Sequence, residues 1–576
     1  MKNNKISYLF QLLYLIKNYK KFFILSLFLM FMSALFEVFS LAMILPIINV
    51  LINPETYLYY KNFLYFDFFL TNYLQNLSQE DFFYFLLSTF LIIIILKNII
   101  IYSKNIFDNF FTLLLRRYWS KEVLETYIVR DYDEINFQKK GELINNILNE
   151  STILSKYFTL LLEIISKSII LISILIMLSL INFQITLIVV SITILLGFIF
   201  IFITARSASL LGNKRLKSIQ SVTSSAESSL NAFRLLKIFR LESFVIKNYR
   251  NLFSEFLRTS LKIQLIKNIP RPFGEITVVF LIIAFLFIYR PNNISDISVH
   301  IPLITLFALS LIRILSQATI LLEQKYWISA YRPTVNLIYN ILNKRKVYIS
   351  RSVQNNILNN DLFLKKPFIS LINVGHNIDN KTVIKNFNYN FESNKIYFIK
   401  GKSGSGKSTI MDIIYGLIKP TTGEVLINNK NITEIDRKII KNNFGYLSQD
   451  IYFLNDTIYN NIRLNNNYSK FEVEKICRDL NIYDFIKNKK NNLNYEVGDN
   501  GMNLSGGQKQ KISITRTFIN KPKIILLDEP TNSLDQEYIV FLKNYLLNSK
   551  NENNIIIFTS HFSSMDEIAD ETIILE

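Results

Sequence analysis

Long apolar runs constrain this chain more than any other feature. They recur from Phe22 to about Trp327 and stop after about Asn355. A helix that crosses a bilayer needs ~20 predominantly apolar residues. Six segments qualify: about 22–50, 84–115, 152–181, 184–205, 273–290 and 301–323. A water-soluble fold would need an unusually large dry core to hide so many helices of this kind. The first run is too long, and lies too far into the chain, for a cleaved secretory signal, and no small-residue cleavage site follows it. The expected architecture is a membrane all-α domain of six transmembrane helices, followed by a soluble part.

Loop charge gives the orientation. Lys2, Lys5, Lys17, Lys20 and Lys21 precede the first run, six basic residues lie in 116–150 and twelve in 206–268. The opposite loops carry only Lys61 in 52–80 and no basic residue in 291–299. Basic loops stay on the cytoplasmic side. Both termini and the soluble part are therefore expected in the cytoplasm of a cell membrane, with two long helical extensions leaving it between spans two and three and between spans four and five. Apolar residues persist there at helical spacing, as at Leu143, Ile147 and Leu148 and at Leu230, Phe233 and Leu236. The expected boundaries are a cytoplasmic arm 1–21, the six-span domain 22–330, a linker 331–360 and a soluble domain 361–576.

A net charge of +19 does not call for a nucleic-acid partner. Lys, Asn and Ile are all over-used and share AT-rich codons, and a membrane chain already uses basic loops for orientation. The single Cys477 excludes an intramolecular disulfide framework and any multi-Cys metal site. His300, His376 and His561 are too scattered for a histidine cluster.

The soluble part carries the chemistry. The run from Gly401 to Thr409 fits G-x-x-x-x-G-K-[ST], after a β-rich stretch and before a helical pattern. Gly401, Ser403, Gly404, Ser405, Gly406, Lys407, Ser408 and Thr409 would form a phosphate cradle, whose inward N–H groups and helix N-terminus attract anionic oxygens. Lys407 would reach the β/γ-phosphates of ATP, and the Ser408 hydroxyl would hold Mg²⁺. A second apolar strand ends in Asp528-Glu529. Carboxylates at the C-terminal edge of a buried strand stand where open α/β sheets bind ligands. Asp528 would hold Mg²⁺ through water, and Glu529 would polarise the attacking water as general base.

Between these motifs lies Leu504-Ser505-Gly506-Gly507-Gln508. Here the chain resembles the ATP-binding cassette (ABC) family, whose signature this pentapeptide is. The resemblance implies roles for Gln449 in Tyr-Leu-Ser-Gln-Asp as the Q-loop glutamine and Mg²⁺ contact, for Asp535 in Asn-Ser-Leu-Asp as the D-loop aspartate, and for His561 in Thr-Ser-His as the switch histidine. It gives Glu496-Val-Gly-Asp499 a place beside helices arriving from the membrane domain. The family usually stacks adenine on a Tyr where this chain has His376, which either presents its flat ring to adenine or is a plain loop residue. Ser505, Gly506, Gly507 and Gln508 act on ATP held by another cassette, so a chain with one cassette implies a dimer, most simply a homodimer with two competent sites. The layout as a whole resembles an exporter half-transporter: six helical spans joined to an α/β P-loop ATP-binding cassette.

Charges inside apolar spans are expensive and suggest function. Lys97, Arg271 and Arg313 stand in or at the second, fifth and sixth spans, accompanied by Glu37, Glu163, Lys167, Glu275 and Glu323. Either they form a basic cavity for a phosphate or pyrophosphate headgroup, or Arg271 lies outside the hydrocarbon and Arg313 pairs with a carboxylate across the bundle. Phe36-Glu37 with Pro46, Pro270-Arg271 with Glu275, and Arg313 look like the lipid-linked oligosaccharide flippases of the PglK type. That resemblance implies a membrane lipid carrying a glycan as cargo; the alternative is another lipid, a peptide or a drug-like amphiphile. The aromatic stretch 52–80, which includes Tyr57, Tyr59, Tyr60, Tyr65 and Phe66, would lie at the membrane surface, as an anchor or against a polyprenyl tail.

Overall fold

The structure is a computed structural model that describes residues 8–63, 77–136, 138–288, 297–354, 366–378, 381–464, 466–560 and 563–575. It divides into two units, Met1–Val129 with Gln138–Arg345, and Arg130–Phe137 with Lys346–Glu576.

The first unit is helical. Its main helices are α1 (Lys20–Ala42), α2 (Ile44–Ile52), α3 (Gln79–Val129), α4 (Ser151–Ile181), α5 (Phe183–Asn231), α6 (Glu242–Lys267), α7 (Pro270–Ile288) and α8 (Ile297–Gln354). Among the described residues, five helices are long and apolar enough to cross a membrane. The helix at the place of the expected fifth span is α7. At 1.5 Å per residue, α3 and α5 each run for ~75 Å, more than twice the ~30 Å hydrocarbon thickness. They therefore continue well beyond the bilayer, as the periodicity predicts.

Local chemistry explains the breaks. The first span is split at Met43, three residues before Pro46, which has no N–H to donate to Ala42. The turn between α4 and α5 is capped by Asn182, whose side chain accepts the Ile185 N–H at 3.1 Å. A Cβ at Gly212 of α5 would collide with the Ala330 backbone of α8, so the absent side chain lets these helices touch. The expected linker 331–360 is helical as far as Gln354, because Val335, Ile338, Tyr339 and Leu342 keep a buried stripe at helical spacing.

The second unit is α/β. Strands β1 (Phe368–Ile378), β2 (Lys381–Glu392), β4 (Thr422–Ile427) and β5 (Lys430–Asn431) make an antiparallel sheet in the order β2-β1-β4-β5. Strands β3 (Lys395–Gly401), β6 (Phe444–Leu447), β7 (Ile524–Asp528), β8 (Ile555–Thr559) and β9 (Glu571–Leu575) make a parallel sheet in the order β6-β7-β8-β3-β9. Alternate side chains of β3 enter opposite cores, Ile396 and Phe398 on one face, Tyr397 and Ile399 on the other. Every residue of β7 is buried, as a central parallel strand requires. Helices α9 (Lys407–Tyr415), α10 (Gly506–Phe518) and α11 (Gln536–Lys550) complete the frame of the site.

Candidate functional site

The phosphate-loop residues form the turn from β3 into α9. Gly404 and Gly406 take φ of +83° and +90°, left-handed values that L side chains rarely adopt. Gly406 is the N-cap, leaving the first N–H groups of α9 without a side-chain partner at their cap. Lys407 is buried, and its Nζ donates to the carbonyls of Gly401 (2.8 Å) and Lys402 (2.9 Å). The Ser405 hydroxyl is buried without a hydrogen-bond partner. An orphan hydroxyl, a lysine folded onto the loop and a helix N-terminus together fit an anionic ligand such as a nucleotide phosphate.

The carboxylates stand at the C-terminal edge of the same sheet. Thr559 at the end of β8 ties them together: its Oγ1 donates to Asp528 Oδ1 (2.6 Å) and accepts the Glu529 N–H (3.0 Å). Glu529 itself has φ +52°, a conformation that costs an L-residue roughly 1–2 kcal/mol. Its surroundings hold it there. Asn532 Nδ2 donates to its Oε2 (2.6 Å), while Gln510 Nε2 donates to the carbonyls of Glu529 (3.3 Å) and Pro530 (2.9 Å). Strain held this way at a strand end is common at reactive positions. Thr559, Asn532 and Gln510 were not singled out as site residues in the sequence, although Thr559 opens Thr-Ser-His and Gln510 closely follows the signature pentapeptide.

Gln449 follows β6 and is exposed, two residues beyond Leu447. Beneath it, Tyr446 donates to Asp412 Oδ1 (2.7 Å), and burial pushes both the Asp412 carboxyl and the Tyr446 phenol up. Ser408, Gln449 and Asp528 offer a hydroxyl, an amide oxygen and a carboxylate, a sparse set of hard donors. Among the described residues no group of three His, Cys, Asp or Glu could hold a metal unaided. The donor set thus suits Mg²⁺, which keeps waters and phosphate oxygens as ligands, and does not suit a metal needing a full protein cage.

The signature opens α10. Ser505 is its N-cap in a reciprocal capping box: its Oγ accepts the Gln508 N–H (3.3 Å), and Gln508 Oε1 accepts the Ser505 N–H (3.2 Å). A Cβ at Gly507 would lie 2.7 Å from the Ser533 carbonyl, so Gly lets this turn sit directly on the loop after β7. Asp535 caps α11 through the Tyr538 N–H (2.9 Å) and pairs with Lys511 (3.1 Å), whose hydrogen bond holds the carboxyl below its usual range. Upstream, Asp499 accepts from Asn455 Nδ2 (2.7 Å). His376 lies in β1, and its buried Nδ1 has no hydrogen-bond partner. His561 falls outside the described residues, as do Tyr65 and Phe66 of the aromatic stretch.

The segment Arg130–Phe137, between the second and third spans, packs with the cassette. Asp131 pairs there with Lys419 (3.1 Å) and Arg437 (3.5 Å). Burial pushes the Asp133 carboxyl up, against the opposing influence of His376 and Lys419.

In the helical unit the charges within the spans are largely paired. Glu37 bridges Lys97 (3.3 Å) and Arg313 (3.4 Å), and Lys97 also donates to Ser40 Oγ (3.4 Å). The structure thus brings Lys97 and Arg313 together on one carboxylate, the cross-bundle pairing of Arg313 that the sequence offers as the alternative to a basic cavity. Arg271 is exposed and pairs with Glu275, one turn along α7 (3.4 Å).

The ABC transporter family description matches residues 384–532, and that of the ABC transporter transmembrane region matches 23–315. The chain is 23% identical over 442 residues to an ATP-dependent lipid A-core flippase of Pasteurella multocida, covering 76% of this chain and 74% of that one. It is 31% identical to an ATP-dependent lipid A-core flippase of Pectobacterium atrosepticum over 207 residues, 36% of this chain and 35% of that one. A solved bacterial Atm1-family ABC exporter with ATP bound shares the fold, with a TM-score of 0.71 at 18% identity, over 96% of this chain and 93% of that one.

Proposed function

The chain belongs to the ABC transporter family and couples ATP hydrolysis to transport across a membrane, and from that premise we propose that it is a homodimeric flippase for a polyprenyl-pyrophosphate-linked oligosaccharide. Both termini and the cassette lie on the cytoplasmic side of a bacterial inner membrane in this reading, and the cargo moves to the outer leaflet. The observation that carries the cargo assignment is the pair of cations, Lys97 and Arg313, joined on Glu37 within the spans. Cations inside hydrocarbon are rarely kept without a task, and guanidinium suits phosphate oxygens.

The cassette residues divide the work. ATP phosphates take the Gly404–Gly406 turn, and Lys407 Nζ exchanges the Gly401 and Lys402 carbonyls for β/γ-phosphate oxygens. Ser405 Oγ gains the partner it lacks. Ser408, Gln449 and Asp528 would hold Mg²⁺, which when bound would supply charge neutralisation at the phosphate oxygens. Glu529 accepts the proton of the attacking water, with its carboxylate oriented by Asn532 and its backbone by Thr559. His376 lies against adenine, and His561 supports the γ-phosphate. Ser505 to Gln508 and Asp535 of one protomer close on ATP held by its partner. ATP does work because it binds the closed pair of cassettes better than the open one.

The relatives named as lipid A-core flippases favour a second reading, in which the same engine moves a different lipid. Leaflet transfer of a labelled polyprenyl-pyrophosphate oligosaccharide in proteoliposomes separates the two. ATP-dependent transfer that disappears in Glu529→Gln is expected; ATP hydrolysis without transfer of this lipid would leave the second reading.

A further inference from the structure

The helix that opens with the signature also grips the loop that begins at Glu529. Gly507, Gln510 and Lys511 stand at i, i+3 and i+4 of α10 and so share one face. That face rests on the loop from Glu529 to Asp535, which leaves the end of β7. A Cβ at Gly507 would meet the Ser533 carbonyl at 2.7 Å, and Lys511 pairs with Asp535 at 3.1 Å. Between these contacts lies Gln510, only 5% exposed. Its single amide nitrogen donates to two carbonyls, that of Glu529 at 3.3 Å and that of Pro530 at 2.9 Å.

Successive groups of an extended strand point to opposite sides, so one amide reaches two successive carbonyls only where the chain turns. Glu529 makes that turn with φ +52°, a conformation that an L-residue keeps only when its surroundings hold it. Thr559 takes the N–H of Glu529, and Asn532 takes its carboxylate. Gln510 fixes the carbonyl side, and it does so from the signature helix. Ser505, the N-cap of α10, is five residues away, about 7–8 Å along the helix.

Resting on the general-base and homodimer readings above, we propose that Gln510 is the positioning residue for Glu529. Through it, the signature end of α10 sets the base of its own protomer. Ser505 closes on ATP held by the partner, α10 moves with it, and the Gln510 amide carries that movement to the backbone of Glu529. Each protomer's base is then poised by the ATP in the opposite site. The chemistry of water attack is unchanged; what Gln510 controls is where the Glu529 carboxylate stands.

The test uses full-length dimers carrying two different affinity tags, in which one protomer bears Glu529→Gln, so that a single site turns over. Gln510→Met on the active protomer should lower kcat about ten- to hundredfold, the scale of a small misplacement of a reacting group, with the KM for ATP little changed. The same substitution on the inert protomer, whose signature serves the active site, should cost clearly less. Equal losses in the two placements, or a loss confined to KM, would overturn the assignment and leave Gln510 a structural support of α10. If Gln510→Met does not assemble, Gln510→Asn keeps the amide on a shorter stem and should show the same asymmetry at smaller size. Ser505→Gly retains a tolerated N-cap residue; on the active protomer, where it faces only the inert site, it should slow turnover. With Gln510→Met already on that protomer it should slow turnover no further, because both changes break one link. Additive losses would overturn the link. Tags that do not co-purify would overturn the homodimer and the link with it, and turnover by a dimer with Glu529→Gln in both protomers would overturn the base; neither outcome resembles the equal losses that count against Gln510 alone.

Discussion

The two units keep their charges in opposite ways. In the cassette, Asp528, Glu529 and Lys407 are carried at strand ends and helix starts by their own local backbone, and their partners are Thr559, Asn532 and loop carbonyls. In the helical unit, Glu37, Lys97 and Arg313 come from three different helices and are defined by one another. A cassette charge is poised for a ligand because its neighbours are neutral hydrogen-bonding groups. A charge in the spans is first neutralised by another charge, and a ligand must compete for it. Removing one charge should therefore affect chemistry in the cassette and assembly in the helical unit.

The largest effect is expected at Glu529. Glu529→Gln keeps the size of the side chain but cannot take a proton, and general-base loss typically costs 10²–10⁴-fold in rate. ATP hydrolysis by the purified transporter should fall by that order while nucleotide still binds. Hydrolysis within a few-fold of the wild type would remove the base assignment and with it the contrast between the cassette and the spans. Next comes Glu37→Leu, which leaves Lys97 buried and partly uncompensated. Breaking a buried ion pair at one end costs about 3–5 kcal/mol, whereas replacing both ends by apolar groups is often neutral. Thermal unfolding in detergent should show a large loss for Glu37→Leu and recovery of most of it in Glu37→Leu with Lys97→Leu. Equal losses in both would mean that the carboxylate is held by something other than its cations.

The same contrast decides what could be read from the sequence. The phosphate loop, the Asp528-Glu529 strand end and the signature are legible because one turn of backbone sets their geometry, so spacing alone carries the information. The spans were legible as apolar length, and the long extensions as continued periodicity. Thr559 escaped because its role depends on β8 lying beside β7, a pairing across 31 residues of chain. The sharing of Glu37 escaped for the same reason, since it joins residues from three helices. The 331–360 stretch reads as a linker because the long apolar runs end near Trp327, whereas Val335, Ile338 and Leu342 supply a buried stripe that continues α8. Thr559→Val tests the cassette half of this lesson. It removes a buried donor from Asp528 and an acceptor from the Glu529 N–H, groups that cost about 1–3 kcal/mol when left unsatisfied. The cassette transition in calorimetry should move down accordingly; an unchanged transition would show that water replaces the hydroxyl there.

The smallest effect on stability is expected where the segment from between spans two and three meets the cassette surface. Asp131 faces Lys419 and Arg437, both largely exposed, at 3.1 and 3.5 Å. Ion pairs of this kind contribute about 0–1 kcal/mol and weaken as salt rises, because the Debye length falls from ~10 Å at 0.1 M to ~3 Å at 1 M. Asp131→Asn should therefore leave thermal unfolding nearly unchanged. The pair nonetheless joins a segment flanked by two spans to the turn that leads into β4, so its loss should appear in coupling. At low salt the variant should hydrolyse more ATP per lipid transferred than the wild type, and at high salt the two should converge. Convergence is the informative outcome, since a packing defect at Asp131 would persist at every ionic strength while a lost ion pair would not.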